Sequence, residues 1–318
     1  MRPLDVCRPR IFGSSNLIEI NRYYYRYITV QHKTLALRLF QKVDPVSLSF
    51  LSADNPLRSV LTLEQIYIDS KTLGQAALNL GYIMSAVKQS GLDQLDPHLG
   101  IYHLHALLET FIHARDDEGS ALFFEMLTHA DLELDAYGYT LLYLSIAHEL
   151  GWKLKIVVLP EHIYVRVLKW DGAYMNFDPL GGFSCADENY AEFSQVDLDY
   201  IEHNTLEHSD FLALAYYRRG LWHEKSGNLP ATLSDFRFAA QWNPNDFSVL
   251  QKLGECYYQN GDMQNAYETL SQAALQAPEH MRSILDNLLQ SMPEPQSPQE
   301  FENLLQELAA EFTAQPSP

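Results

Sequence analysis

The sequence predicts an α+β domain joined to an all-α repeat segment. Three observations carry that expectation in the 318-residue chain: a helix followed by three short strands over 139–177, apolar helical periodicity through much of 35–130, and matches at a spacing of 34 in the last third. Composition sets the outer bounds. Hydrophobic residues make up 47% and charged residues 20%, which places the chain among folding proteins. The densest apolar run, Leu154 to Leu159, still contains Lys155, so no membrane span is expected. A net charge of −19 repels phosphate backbones and argues against nucleic acid as a partner. The start, Met1-Arg2-Pro3-Leu4-Asp5, lacks a secretory pattern, and Cys7, Cys185 and Cys256 form an odd, widely spaced set. The expectation is a cytoplasmic protein with no disulfide framework, no zinc site and no cofactor.

Residues 1–60 read as a basic, aromatic extension. Residues 1–42 carry a local charge of +6, including the run Asn21-Arg22-Tyr23-Tyr24-Tyr25-Arg26-Tyr27. A strand or helix with tyrosines on the core and arginines on the protein's own acidic surface accounts for it; stacking on bases or an anionic membrane is the alternative.

The next segment, 61–208, opens with helices. Apolar periodicity over Leu73 to Val87 and Ile101 to Ile112 is broken at Ser90-Gly91 and Pro97. His103 and His105 fall on different faces of the second helix, so with His113 they read as ordinary helix histidines. A helix from about Tyr139 to Glu149 follows, then strands at 153–159, 162–168 and 174–177, the last two joined across Trp170-Asp171-Gly172-Ala173. A strict two-residue turn here would pair 165 with 178; a three-residue turn or a bulge sets 164 opposite 178 and brings His162 diagonally alongside Asp178.

In the segment 209–292, Gly220 falls on Gly254, Gly227 on Gly261, Ala239 on Ala273, Ala240 on Ala274 and Pro244 on Pro278, all at a shift of 34. The small residues let paired helices approach, the second glycines end the first helix of each pair, and the prolines stop the second. This pattern resembles the tetratricopeptide repeat, with copies at 213–246 and 247–280; Arg219 and His223 depart from it in the first copy. Residues 281–292 read as a capping helix closed by Pro293. In the repeat's register Tyr217, Leu221, Gln251, Glu255 and Tyr258 line a concave face, suited to a helix or extended peptide unless the stack is purely structural.

The tail, 293–318, is acidic. Within it Ser297-Pro298-Gln299-Glu300 is a capping box, and Phe301, Leu304, Leu305, Leu308 and Phe312 follow at helical spacing, giving an amphipathic helix over roughly 298–312 that docks on the repeats or on a partner.

The runs Leu142 to Gly151, Leu159-Pro160-Glu161-His162 and Phe177-Asp178-Pro179-Leu180-Gly181-Gly182 resemble the transglutaminase-like superfamily of papain-like fold, and more narrowly its SirB-type bacterial branch, in which tetratricopeptide repeats follow such a domain. The resemblance covers about 100–292. It implies a Cys at the N-terminus of the helix, a His opening one strand and an Asp orienting that His. His162 and Asp178 match the last two. Counting back fifteen from Gly151 lands on Ala136, which has no thiol. Three readings follow: a natural non-catalytic domain, an engineered Cys-to-Ala change, or Cys185 as a substitute nucleophile. The expected function is a degenerate transglutaminase-like protein acting in protein–protein interaction or regulation. The alternative is a cysteine protease, amidase or acyltransferase whose nucleophile was changed at Ala136 or moved to Cys185.

Overall fold

A computed structural model describes residues 51–114, 121–128, 132–160, 162–207 and 210–292. The basic extension up to residue 50 and the amphipathic tail over 298–312 lie outside the described residues. The chain divides into two compact units, Met1–Phe211 and Leu212–Pro318.

The first unit begins with helices α1 (Pro56–Glu64), α2 (Ser70–Gln89) and α3 (Pro97–Leu108), each started by a side chain that satisfies an orphan N–H. Asn55 caps α1, Asp69 caps α2 and Asp96 caps α3, with proline in the first turn of α1 and α3. A boundary at residue 60 would cut α1, whose Leu57, Val60 and Leu61 are core residues. The short helix α4 (Phe123–Thr128) is started from a distance: buried Glu64 accepts the N–H groups of Phe123 and Phe124. Strands β1 (His113–Ala114) and β2 (Glu133–Leu134) pair in parallel just before α5 (Ala136–Leu150).

After α5 come β3 (Leu154–Leu159), β4 (His162–Leu168) and β5 (Tyr174–Phe177), then helices α6 (Asp187–Ser194) and α7 (Leu198–His203) and strand β6 (Thr205–Leu206). They form a four-stranded antiparallel sheet in the order β5-β4-β3-β6. Alternation gives it two distinct faces. One presents Val165 and Phe177 to α3 and α5: Phe177 meets Tyr102 of α3 edge-on at 5.3 Å and Tyr143 of α5 at 5.8 Å. The other presents Val157, Leu159 and Tyr164, covered by Tyr190 of α6 and Ile201 of α7. The unit is therefore mixed helix and strand, with helices on both faces of one sheet.

The second unit is all helical: α8 (Phe211–Lys225), α9 (Leu229–Trp242), α10 (Phe247–Gln259), α11 (Met263–Gln276) and α12 (Glu279–Ser291). The matched glycines act by close approach. A Cβ on Gly220 would fall 2.5 Å from the Phe236 ring, and one on Gly254 would fall 2.6 Å from Leu270 Cγ. Phe236 and Leu270 are themselves 34 residues apart, so both helix pairs use the same contact. Ala239 and Ala273 are fully buried at the same spacing.

Candidate functional site

The hairpin between β4 and β5 decides where His162 points. Lys169 and Ala173 face each other across a three-residue loop, Trp170-Asp171-Gly172, in which Gly172 takes φ +86°. Only glycine adopts that left-handed position without strain. The pairs Val165↔Phe177 and Leu168↔Tyr174 then fix a register in which Asp178 follows on opposite Tyr164. His162 and Asp178 consequently share a face, with Nε2 of His162 3.3 Å from Oδ2 of Asp178.

Asp178 is held from its own turn. Its Oδ1 accepts the N–H groups of Leu180 at 2.9 Å and Gly181 at 2.8 Å, while its backbone bonds to Phe183 and Gly182. The side chains of His162 and Asp178 are only 10% and 3% exposed, so substrate would have to displace covering residues to reach them. Those covering residues are aromatic. His162 stacks on Tyr190 at 5.4 Å and meets Phe193 edge-on at 6.1 Å, while Tyr164 and Tyr190 stack at 4.0 Å. Each such pair contributes about 0.5–1.5 kcal/mol beyond its buried area.

Ala136 sits where the sequence places the missing nucleophile, as the first residue of α5, with Asp135 capping the helix through the Gly138 N–H at 2.9 Å. The rest of α5 packs on the Phe177 face of the sheet, whereas His162 belongs to the Tyr164 face. On the α5 side the imidazole present is that of His105, whose Nδ1 lies 2.8 Å from the Tyr143 hydroxyl and whose ring meets Phe177. Gly182 packs against the same imidazole: a Cβ there would collide with its Nε2. His105 also approaches Glu109 at 3.5 Å and holds that carboxyl below the usual range. Sequence spacing gives no hint of the His105–Tyr143 contact, which joins residues 38 positions apart; the Gly181-Gly182 pair is the trace it leaves.

A polar cluster that no motif or spacing in the sequence singles out lies farther along the Tyr164 face. Arg166 donates to Asp187 at 2.8 Å, Glu202 at 2.9 Å and Asn176 at 3.2 Å, and the Tyr164 hydroxyl donates to Asp187 at 2.9 Å. Burial and the Asp187 carboxylate push the Tyr164 hydroxyl well above its ordinary range. Arg166, Asn176, Asp187 and Glu202 border a cleft of about 660 Å³ that Cys185 also lines. Cys185 is 5% exposed and belongs to the apolar cluster with Tyr164 and Tyr190, the setting of a packing residue. Among the described residues no group of three or more His, Cys, Asp or Glu could hold a metal ion.

In the second unit the five residues expected along the concave face divide. Tyr217, Leu221 and Gln251 are half-buried, while Glu255 and Tyr258 are 5% and 3% exposed. An open groove lined by all five is therefore corrected. Tyr217 and Leu221 pack against the cluster of Phe236, Leu253 and Cys256, and burial raises the Tyr217 hydroxyl's pKa. Glu255 accepts Gln251 at 2.8 Å and pairs with Lys252 at 3.1 Å, which also reaches Glu224 at 3.2 Å. The departures at 219 and 223 also find their reason. Arg219 forks onto Asp235 at 2.6 and 2.8 Å, and His223 stands 3.7 Å from the same carboxylate, so an ionic cluster replaces the apolar contact of the second copy.

Residues 224–291 match the family model of the tetratricopeptide repeat. No curated protein and no solved structure matches the chain. The matched tetratricopeptide segment runs from the end of α8 through α12, so α12 is itself repeat material. Among the described residues no helix is long and apolar enough to cross a membrane.

Proposed function

We propose that this protein works by protein–protein interaction, with the tetratricopeptide segment taking a protein or peptide partner. The observation that carries this reading is the repeated helix pair: the contacts Gly220–Phe236 and Gly254–Leu270 at one spacing, within a segment that matches the repeat family. Stacked pairs of this kind present an extended concave surface. The test is affinity capture by the full chain, compared with a Tyr217→Ala, Gln251→Arg variant of unchanged helicity. A partner held by the parent and released by the variant is the expected result. Equal retention by both would place binding elsewhere and sink the groove reading.

The first unit we read as a degenerate transglutaminase-like domain in which His162 and Asp178 are structural. The element order of α5, β3, β4 and β5 and the turn at Asp178-Pro179 support the family reading; burial under Tyr190 and Phe193, and the packing of α5 on the other face of the sheet, support the structural role. The experiment is Ala136→Cys with and without His162→Ala, read by iodoacetamide alkylation at neutral pH. Equal rates are expected. A thiol that alkylates about tenfold faster with His162 present would restore the enzymatic alternative, since only a lowered pKa populates the thiolate there.

A further inference from the structure

The sheet of the first unit has an open edge at β5, and the ladder fixes which backbone groups face it. The Lys169 N–H donates to the Ala173 carbonyl, so residues 173, 175 and 177 bond inward to β4, while 174, 176 and 178 turn their N–H and C=O groups outward. Asp178 uses its outward groups: its N–H donates to the Phe183 carbonyl, and its own carbonyl accepts the Gly182 N–H. The next pair along this returning chain would be Asn176 with Cys185. There the Asn176 side chain takes the Cys185 carbonyl instead, at 3.2 Å, and the chain leaves the edge to begin α6. Among the described residues no protein group bonds the outward N–H and C=O of Tyr174 and Asn176.

Asn176 is only 8% exposed, so unbonded backbone groups there are costly and call for a partner. Tyr174 and Asn176 both line the cleft of about 660 Å³, a volume within the range of about 300–1,000 Å³ typical of ligand sites. Strand β5 carries neither proline nor a charged residue, two usual protections of a free edge. The cleft also has a sign. Arg166 is held by Asp187, Glu202 and Asn176, so two carboxylates stand against one guanidinium. The Glu202 side chain is 75% exposed and gives Arg166 one oxygen, which leaves the other for a cation.

We infer that the β5 edge takes an extended segment of a partner protein, bearing a lysine or arginine, as an added antiparallel strand. The segment follows the track that the returning chain leaves after Phe183. Its residues opposite Tyr174 and Asn176 exchange backbone bonds with them, which gives affinity without sequence. Those residues' side chains share the face of Arg166 and Asn176, and the residue between them turns toward the face of Met175. A basic side chain opposite Asn176 meets Glu202 and Asp187, whereas an acidic one is repelled, and this sets the specificity. The surface belongs to the first unit alone and is independent of what the repeats bind.

The test is a titration of the isotope-labelled full chain with the peptide acetyl-Thr-Val-Lys-Val-Thr-amide, followed by backbone amide NMR. Saturable shifts are expected at 174–176 and 184–189, with hydrogen exchange of the Tyr174 and Asn176 amides slowed at least about tenfold at saturation. The same peptide with glutamate in place of lysine binds at least about tenfold more weakly. N-methylation of one alternate set of peptide amides abolishes binding, and N-methylation of the other set is tolerated, because only one set faces β5. Tyr174→Pro removes an outward N–H and keeps the inward ladder, so it weakens binding about tenfold. Absence of saturable binding, shifts centred on Tyr217 and Gln251, equal affinity of the lysine and glutamate peptides, or equal effects of the two methylated sets overturns the proposal. Acetyl-lysine-amide binding as tightly as the peptide also overturns it, by reducing the site to a cation pocket. The comparisons among peptides decide the matter even if Tyr174→Pro does not fold.

Discussion

Asp178 divides its carboxylate between two tasks: Oδ1 accepts the Leu180 and Gly181 N–H groups, and Oδ2 faces Nε2 of His162 at 3.3 Å. Asp178 is buried and His162 is largely covered by Tyr190 and Phe193, so the pair closes the end of the β4–β5 hairpin against α6. The removal of either task has a separate, measurable cost.

Asp178→Ala strands two partly buried backbone donors, each costing about 1–3 kcal/mol when its bond is unmade, and takes the carboxylate away from the His162 ring. Urea unfolding of the first unit should show a loss of about 3 kcal/mol. Asp178→Asn keeps an oxygen for the two N–H groups and should lose only about 1 kcal/mol. Equal losses would show that the turn bonds contribute nothing.

Close approach predicts a contrast among glycines. Gly254→Val drives a side chain into Leu270 and should cost about 2–3 kcal/mol by overpacking, with Gly220→Val behaving alike against Phe236. Gly74 lies inside α2, and a methyl group in place of its hydrogen would meet nothing within 4 Å. Gly74→Ala should therefore stabilise by about 0.5–1 kcal/mol through helix propensity alone. Thermal unfolding of the three variants decides the matter; a harmless Gly254→Val would refute the packing.

Cys256 is fully buried in the cluster with Phe236 and Leu253, and burial together with Glu224 and Glu255 pushes its thiol up to about 12. Native protein treated with iodoacetamide at about pH 7 should leave Cys256 unmodified, and labelling should appear only as urea unfolds the repeats. Labelling in the absence of denaturant would place this thiol at an open surface.

The cap of α10 carries a pH dependence. Asp246 accepts the N–H groups of Ser248 and Val249, yet its burial raises its pKa above the ordinary carboxylate value. The folded state thus holds this proton more tightly than the unfolded state, and stability from this group falls as pH rises from the unfolded pKa through the raised one. Asp246→Asn keeps a good cap without the buried charge. Its stability should exceed that of the parent near pH 7, with the gap closing as pH falls into the ordinary carboxylate range. A variant less stable than the parent at neutral pH would show that the charged cap outweighs its desolvation.

Local rules make much of this protein legible. Strands His162–Leu168 and Tyr174–Phe177 follow from β-branched and aromatic runs bounded by a turn, and the helices from caps and apolar spacing, because both depend on neighbours within a few residues. The 34-residue step points to the repeats for the same reason: each unit must fit the next, so the contact residues recur. The shared face of His162 and Asp178 is conditional in sequence, resting on a single residue of loop length that the Gly172 turn supplies. Tertiary structure alone decides the rest. The contact of His105 with Tyr143 beside Gly182, the Arg166–Asp187–Glu202 cluster, and the burial of Glu255 and Tyr258 join or cover residues that no local period relates. A side chain's periodicity says which face of its element it occupies, and only the packing of other elements says whether that face meets water.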